Sequence, residues 1–344
     1  MSWERIRGQE AARVQVAQAW KSGRLGHAYA LIGPAGVGKR LFAREWAKAM
    51  LCERRGPELT ACDHCSACRQ VEAETHPDLH WLRTPEGKHA LPVEEMRQFC
   101  EALARKPLRG GRVVGILEDA DDLNVESANA FLKTLEEPPG AALILLLCSG
   151  WEQLLPTIRS RCQQIRLAPL NRTDIHAILT EHGITDPALQ EEAWRWCRGS
   201  AARALALVEG GLPQLRQTLW EGLASGTIAV DRWTQQCIEY AEAAGKDSAS
   251  QRERAELLLD LLVEALRQML RQQVGASLAV ADWSVSLTSV ATLTPERLLD
   301  WLDRTLLAYT HLERRVPLPL LFEALFDYLA RSLEQDTQPA SAPT

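Results

Sequence analysis

No stretch of the sequence is apolar for long enough to cross a lipid bilayer. The longest apolar run, AALILLLC at residues 141–148, has 8 residues, whereas a membrane-spanning helix needs about 20. The N-terminal residues MSWERIRGQE are charged, unlike the apolar region of a secretory signal peptide. The sequence therefore predicts a cytoplasmic protein without a membrane partner.

An excess of positive charge is also missing. The 39 lysine and arginine residues are outnumbered by 45 acidic residues, which gives a formal net charge of −6, and aromatic residues make up only 6% of the chain. Modules that bind single-stranded nucleic acid combine a basic groove with aromatic side chains on which the bases stack. This composition counts against a stand-alone DNA-binding module, because any contact with DNA would need a local basic patch.

The chain has 344 residues, more than one hydrophobic core usually serves, so we expect two or three domains. Short apolar segments that alternate with amphipathic ones predict a parallel sheet covered by helices. The five predicted strands are residues 28–33, 79–83, 112–119, 143–148 and 163–167. Beyond them only helical patterns follow, clearest over residues 253–273.

Two helices within the α/β part can be predicted individually. Phe42, Trp46 and Met50 recur every four residues after the first strand, which gives the next helix one apolar face. Another helix is expected to begin near Asn124, a good N-cap residue, and to end before Pro138.

The segment LIGPAGVGKR, residues 31–40, matches the phosphate-binding pattern G-x-x-x-x-G-K-[ST] except at its last position. Such a turn directs backbone N–H groups at phosphate oxygens, and its lysine reaches the outer phosphates. The candidate nucleotide-binding residues are therefore Gly33, Gly36, Gly38 and Lys39. Arg40 replaces the serine or threonine that would bind magnesium, and a guanidinium cannot coordinate a cation.

Glu118 and Asp119 follow the third predicted strand. P-loop ATPases need an acidic pair here, one carboxylate for the metal and one to orient the attacking water. The usual order is aspartate then glutamate, so the first side chain here is one methylene too long and the second one too short. We expect a degenerate site in which hydrolysis by this chain alone is impaired and nucleotide binding is doubtful.

Four of the nine cysteines have the spacing C-x9-C-x2-C-x2-C. They are Cys52, Cys62, Cys65 and Cys68. Four thiolates can surround one zinc ion at about 2.3 Å, and such a closed site is structural. An iron–sulfur cluster is the alternative, but in bacterial ferredoxin runs the fourth cysteine follows closely and precedes a proline. The position of Cys52 upstream of the others favours zinc.

With these motifs in order along the chain, the sequence resembles the clamp-loader branch of the AAA+ family. The shared residues are Gly8 and Gln9, GHAYALIGPAGVGK at 26–39, the cysteine insert with THPD at 75–78, SANAFLKTLEEPP at 127–139 and LLPTIRSRCQ at 154–163. They cover about the first half of the chain. The resemblance implies an ATP-driven assembly that opens a ring-shaped sliding clamp and places it on primed DNA.

The resemblance also implies a domain division. It predicts an AAA+ P-loop α/β domain with the zinc insert over residues 1–168 and a small helical lid domain over 169–211. A helical oligomerisation domain, the collar of the ring, is expected over 212–334. The polar residues 335–344 are expected to be disordered, since they cannot bury enough apolar surface to fold.

The family assigns roles to single residues. The arginine of its S-R-C motif, here Arg161, reaches the nucleotide of the adjacent subunit. Ser149 stands where active subunits have a sensor threonine. Ala202 stands where they have a second sensor arginine, and Arg203 is one residue away, about 100° around the helix.

With Arg40 and the inverted acidic pair, these departures favour a non-motor subunit without independent ATPase or polymerase activity. A gamma/tau-like subunit that hydrolyses ATP itself is the alternative, and a zinc-containing DNA-binding module is a third. The implied partners are the gamma/tau ATPase subunits and the delta subunit of the bacterial DNA polymerase III clamp loader, with the sliding clamp and primed DNA reached through the assembly.

Overall fold

A computed structural model describes residues 2–85, 91–109, 111–140, 142–208, 212–245, 248–273 and 293–334. The chain divides into two compact units, Met1–Leu205 and Ala206–Thr344. The expected boundaries near 168 and 211 stay predictions, and the expected disordered tail lies outside the described residues. Among the helices of the described ranges, none combines the length and apolar character needed to cross a membrane.

The first unit contains a five-stranded parallel sheet with the order β2-β3-β4-β1-β5. The strands are β1 (Ala28–Ile32), β2 (Leu79–Leu82), β3 (Val113–Leu117), β4 (Ala142–Cys148) and β5 (Gln163–Arg166). Every residue of β1, β3 and β4 is buried, as continuous apolar runs require when both faces of a sheet are covered. All five predicted strands are confirmed, with slightly shifted ends.

Helices cover both faces of this sheet. The helices that contribute to its two cores are α1 (Glu10–Lys21), α2 (Lys39–Leu51), α3 (Ser66–Glu72), α4 (Val93–Leu103), α5 (Val125–Glu136) and α6 (Pro156–Arg159). After β5 the chain forms α7 (Arg172–Glu181), α8 (Pro187–Cys197) and α9 (Ala201–Val208). The predicted apolar face of α2 is confirmed, since Phe42, Trp46 and Met50 are buried. The predicted cap of α5 is confirmed too, because the Asn124 side chain accepts a hydrogen bond from the N–H of Ser127.

Alternate residues of β1 enter two separate cores. Tyr29 and Leu31 pack with α1, α2 and the cysteine insert. Ala28, Ala30 and Ile32 pack on the opposite face with α4, α5 and α6. This alternation follows from the two-residue period of a strand.

The described residues of the second unit form helices and the loops that join them, as the helical patterns of the sequence predict. Its helices are α10 (Leu212–Ser225), α11 (Val230–Glu242), α12 (Ser248–Gln273), α13 (Pro295–Glu313) and α14 (Leu318–Glu334). Trp220, Trp233 and Trp301 are buried in its core, and the Trp233 ring meets Phe326 edge to face with centroids 5.4 Å apart.

Candidate nucleotide corner and cysteine cluster

Three of the candidate nucleotide-site segments lie at one edge of the sheet. Gly33 follows β1, Glu118 follows β3 and Ser149 follows β4. Because the strands are parallel, their carboxyl ends meet at this edge, where α/β proteins bind ligands. We call this region, formed by residues 33–40, 118–121 and 149, the nucleotide corner.

The glycine-rich loop has the backbone conformation that its glycines permit. Gly36 and Gly38 have φ values of 72° and 100°, and Gly38 is the N-cap of α2. A Cβ atom at Gly33 would lie 2.6 Å from the carbonyl oxygen of Leu167, so only glycine fits there.

Carbonyl groups of the loop accept hydrogen bonds from Lys39 and from the start of α9. Lys39 Nζ donates to the carbonyl oxygens of Gly33 at 2.6 Å and Pro34 at 2.9 Å. The N–H of Ala201, at the start of α9, donates to the carbonyl of Gly36 at 2.9 Å. Lys39 is therefore folded back on the loop, and the phosphate-binding role of the loop stays a prediction.

Arg40 forms an ion pair with Glu118. Its Nε donates to Glu118 Oε2 at 2.6 Å, and its Nη2 contacts the same oxygen. The indole N–H of Trp81 donates to the other oxygen, Oε1. The Glu118 side chain is only 2% exposed, whereas that of Arg40 is 47% exposed. Both carboxylate oxygens are thus engaged by donors from the protein.

Two guanidinium groups fix the orientation of Trp81. Those of Arg44 and Arg83 lie 5.6 and 5.8 Å from the ring centroid, within the range of cation–π attraction. Both arginines also pair with Glu74. Sequence reasoning missed Trp81, because nothing in the pattern of β2 shows that its indole reaches a carboxylate 37 residues further along the chain.

Asp119 has a left-handed backbone conformation, with φ of 48°. Although the residue is exposed, its carboxyl group lies close to protein on several sides. Partial burial, followed by repulsion from Glu118, Asp122 and Asp121, raises the pKa of Asp119 to about 6. The exposed Ser149 donates its backbone N–H to Asp121 Oδ2 at 2.8 Å, a contact that the sequence did not indicate.

Arg161 follows α6 at the surface, and its side chain is 31% exposed. Its Nη1 donates to the carbonyl of Thr157 at 2.7 Å and to Ser160 Oγ at 2.9 Å. Its Nη2 pairs with Glu136, the last residue of α5. Glu136 of the segment TLEEPP and Arg161 of the segment SRC therefore form one ion pair.

The second sensor position lacks an arginine that points to the corner. Ala202 is exposed while Arg203 is buried. Neighbouring positions of a helix differ by about 100° in direction, so the arginine one residue away occupies a different environment.

The four cysteines of the insert come together. Their sulfur atoms all lie within 4.8 Å of one another, with Cys52 to Cys65 and Cys62 to Cys68 each at 3.9 Å. Sulfurs about 2.3 Å from one tetrahedral ion would be separated by about 3.8 Å. The cluster can therefore hold a metal ion.

Backbone donors surround the same sulfurs. The N–H groups of Cys62, Cys65 and Cys68 point at the sulfurs of Cys52, Cys62 and Cys65 at 3.3 to 3.4 Å. Burial opposes ionisation of Cys62, but the N–H groups of His64 and Cys65 together with the neighbouring thiols lower its pKa to about 6. Burial raises the pKa of Cys68. The cluster thus favours at least one thiolate, the form that binds metals.

A buried ion network joins the cysteine insert to α2. Lys48 is 3% exposed, and its Nζ lies 2.9 Å from Glu45, 3.2 Å from Asp63 and 2.8 Å from Glu72. Burial raises the pKa of Glu45, an effect that Lys48 opposes. Arg5 adds a second cation 3.0 Å from Glu72. Sequence reasoning missed this network, since its members come from separate segments.

A cavity of about 830 Å³ in the first unit adjoins the glycine-rich loop. Its apolar lining includes Val37, Leu41, Ile178 and Leu205, and its charged residues include Arg7 and Glu181, which pair with each other. The cavity borders the corner only at Val37 and Gly38 and is large enough for a small organic ligand.

Comparisons with known proteins identify the family. The family model described as "DNA polymerase III, delta subunit" matches residues 8–171. The chain is 44% identical to DNA polymerase III subunit delta' of Pseudomonas aeruginosa over 40% of this chain and 42% of that protein. It is 35% identical to subunit tau/gamma of Haemophilus influenzae over 59% of this chain and 30% of that protein. It is 32% identical to subunit delta' of Escherichia coli over 73% of this chain and 72% of that protein. Since the last similarity extends over most of both proteins, the chain belongs to the DNA polymerase III delta' family.

Proposed function

We propose that this chain is a non-motor subunit of a clamp loader, which helps to place the sliding clamp on primed DNA during replication. Membership of the delta' family supports this function, and so does the state of the chain's own nucleotide corner. The observation that carries most weight is the Arg40–Glu118 pair, because it engages the carboxylate that an ATPase needs for its metal. Its partners would be gamma/tau and delta subunits in the cytoplasm.

In this proposal the chain's catalytic contribution is Arg161, given to the ATP site of a neighbouring subunit. An arginine supplied in trans neutralises the charge that develops in phosphoryl transfer, and is worth about 10³ to 10⁵ in rate. The position of the partly exposed Arg161 just after α6 supports this role. Glu136 and Ser160 hold the guanidinium in one place before a partner binds.

A gamma/tau-like ATPase is not favoured. The matching tau/gamma protein is similar to this chain over only 30% of its own length, whereas the Escherichia coli delta' match covers 72% of that protein. Arg40, the inverted order of Glu118 and Asp119, and Ala202 all depart from the ATPase pattern. The remaining loop residues Gly33, Gly36, Gly38 and Lys39, with Ser149, are proposed as the remnant of a nucleotide site.

We also propose that the cysteine cluster holds one structural zinc ion. All four ligands are thiolates and no position is left for water, so the ion would stabilise the insert and take no part in chemistry. The separations of 3.9 Å suit a single ion. An iron–sulfur cluster, whose cysteines bind different iron atoms, would hold its ligands further apart.

The domain division belongs to the same proposal. An AAA+ P-loop domain over residues 1–168 and a lid over 169–211 would present Arg161 to a neighbour. The domain over residues 212–334, to which α10 to α14 belong, would form the collar that holds the ring together. The apolar cores of α10 to α14 suit a stable helical domain.

Omission of this chain from a reconstituted loader tests the function. Purified gamma/tau and delta subunits are mixed with sliding clamp and primed DNA, with and without the chain, and clamps retained on circular DNA are counted. We expect clamp loading only when the chain is present. Equal loading in its absence would contradict the proposal, and so would sustained ATP turnover by the chain alone.

A further inference from the structure

We propose that the Arg40 guanidinium replaces the magnesium ion of the nucleotide corner as the permanent counter-charge of Glu118. In P-loop ATPases the metal is held by the hydroxyl group of the serine or threonine that follows the P-loop lysine, and by the acidic residue at the end of a neighbouring strand. Here the hydroxyl is missing, and the acidic residue is bonded to Arg40 and Trp81. The residues present therefore do not fit magnesium.

The burial of Glu118 explains why a counter-charge is needed. Its side chain is 2% exposed, and an ionised carboxylate away from water is strongly destabilising unless it is paired. Arg40 brings two nitrogen atoms to Oε2, while Trp81 donates to Oε1. A guanidinium is always charged and has a fixed planar arrangement of donors, so it can supply this charge in every state of the protein.

The same contacts disfavour a divalent cation. Magnesium requires about six oxygen ligands in octahedral geometry. At this position it would lie next to a positive guanidinium whose nitrogens are donors only. Magnesium at this position would either be repelled by the Arg40 guanidinium or would require the Arg40–Glu118 pair to break. Breaking the pair would separate Arg40 from the buried Oε2 of Glu118.

The arrangement is fixed by three elements of the first unit. Arg40 belongs to α2, Glu118 follows β3, and Trp81 belongs to β2. Arg44 and Arg83 flank the indole, so the third partner is held independently of any ligand. Both carboxylate oxygens of Glu118 thus have protein partners without a metal. This inference does not depend on the role proposed for Arg161.

A double-mutant cycle on the full chain tests the replacement. The variants are Arg40→Ser, which restores the residue usual in P-loops, Glu118→Gln, and the two combined, with the exposed Arg13→Ser as matched control. Thermal unfolding is followed in MgCl2 and in NaCl of equal ionic strength. We expect Arg40→Ser to unfold several degrees lower than the wild type in NaCl, because Glu118 is left buried without its charge partner. Glu118→Gln in the same chain should recover most of this loss.

Magnesium gives the second readout. The wild type and Arg13→Ser should unfold at the same temperature in both salts, whereas Arg40→Ser should recover several degrees specifically in MgCl2. A magnesium-specific stabilisation of the wild type would overturn the proposal, as would an Arg40→Ser variant as stable as the wild type. If Arg40→Ser does not fold, Arg40→Lys keeps a positive charge and should be insensitive to magnesium. A magnesium-specific gain in that variant would also overturn it.

Discussion

Arg161 and Glu136 are separated by 25 positions in the sequence but form one ion pair. The pair lies at the surface, where the Glu136 side chain is 48% exposed, so it contributes little to stability. Its value is in position. It holds the guanidinium near the end of α6. In the role proposed for Arg161, this lowers the cost of ordering the side chain at a neighbour's nucleotide.

Glu136→Gln should therefore weaken the action of Arg161 without affecting assembly. We expect hydrolysis in the reconstituted loader to fall roughly two- to fivefold, since an exposed charge pair is worth about 0.5–1 kcal/mol. The control is Glu137→Gln, the adjacent exposed glutamate. A purely structural role would reduce the rate equally in an Arg161→Ala background, whereas a positioning role predicts no further loss there.

Asp119 gives the corner a pH dependence of stability. Its pKa is raised from 3.8 to about 6 in the folded protein, so the folded state binds this proton more tightly than the unfolded state. The stabilisation is complete below about pH 4 and is lost as the pH rises through about 6. Because the carboxyl is accessible to solvent, we expect less than about 1 kcal/mol.

Asp119→Asn removes this titration and tolerates the left-handed backbone. Denaturant unfolding at pH 4, 5, 6 and 7 should show the wild type losing stability relative to the variant as the pH rises. A constant difference between the two across this range would contradict the assignment.

At the scale of single residues, the sequence predicts what short motifs encode. The glycines of the loop and the four cysteines each lie within one short segment, and their spacing specifies their geometry. Trp81 and Glu136 were missed because their partners lie 37 and 25 residues away. Only the fold brings such pairs together.

At the scale of elements, the cysteine insert is attached to the sheet core by three kinds of contact. The Trp3 indole donates to the carbonyl of Leu59 at 2.8 Å, and its ring lies 5.2 Å from Phe42. Lys48 joins α2 to Asp63 and to Glu72 in α3. The parallel strands could be predicted because buried strands are continuously apolar, but this attachment could not, since polar residues on a helix usually face solvent.

Loss of one cysteine of the cluster should release the metal. For Cys65→Ser we expect about one zinc per chain to fall to near zero by elemental analysis, with a lower unfolding temperature, because four thiolates are needed to close the site. The control is Cys100→Ser, a cysteine of α4 outside the cluster. Iron rather than zinc in the wild type, or unchanged metal in Cys65→Ser, would refute the zinc proposal.

Lys48→Met should be one of the most destabilising single changes in the first unit. It removes the nearer of the two cations beside the fully buried Glu45 and leaves only Arg5, whose Nη1 is 3.6 Å away. Breaking a buried ion pair costs about 3–5 kcal/mol. Chemical denaturation measures the loss. Adding Glu45→Gln to this variant should recover part of the lost free energy of unfolding. A small loss for Lys48→Met alone would contradict the expectation and show that water reaches Glu45.

At the scale of the whole molecule, the chain combines the sheet and loop of a nucleotide-binding fold with a corner in which the buried carboxylate of Glu118 is already paired with Arg40. Its sheet, its helical second unit and its cysteine site were predictable because apolar patterns and cysteine spacing are local. The ion pair between Arg40 and Glu118 was not predictable, since the sequence showed only that a magnesium ligand was missing. In the proposed function, this chain acts on ATP held by a neighbour.

Hydrolysis at the neighbour's site is the most direct measurement. Loaders reconstituted with wild type, Arg161→Ala or the control Arg159→Ala, whose arginine pairs with Glu152, are compared in single-turnover ATP hydrolysis with clamp and primed DNA. Size-exclusion chromatography first establishes that each assembly is intact. We expect Arg161→Ala to slow hydrolysis at the adjoining site by about 10³-fold or more, while Arg159→Ala retains the wild-type rate. An intact Arg161→Ala loader that hydrolyses ATP there at the wild-type rate would contradict the role proposed for Arg161.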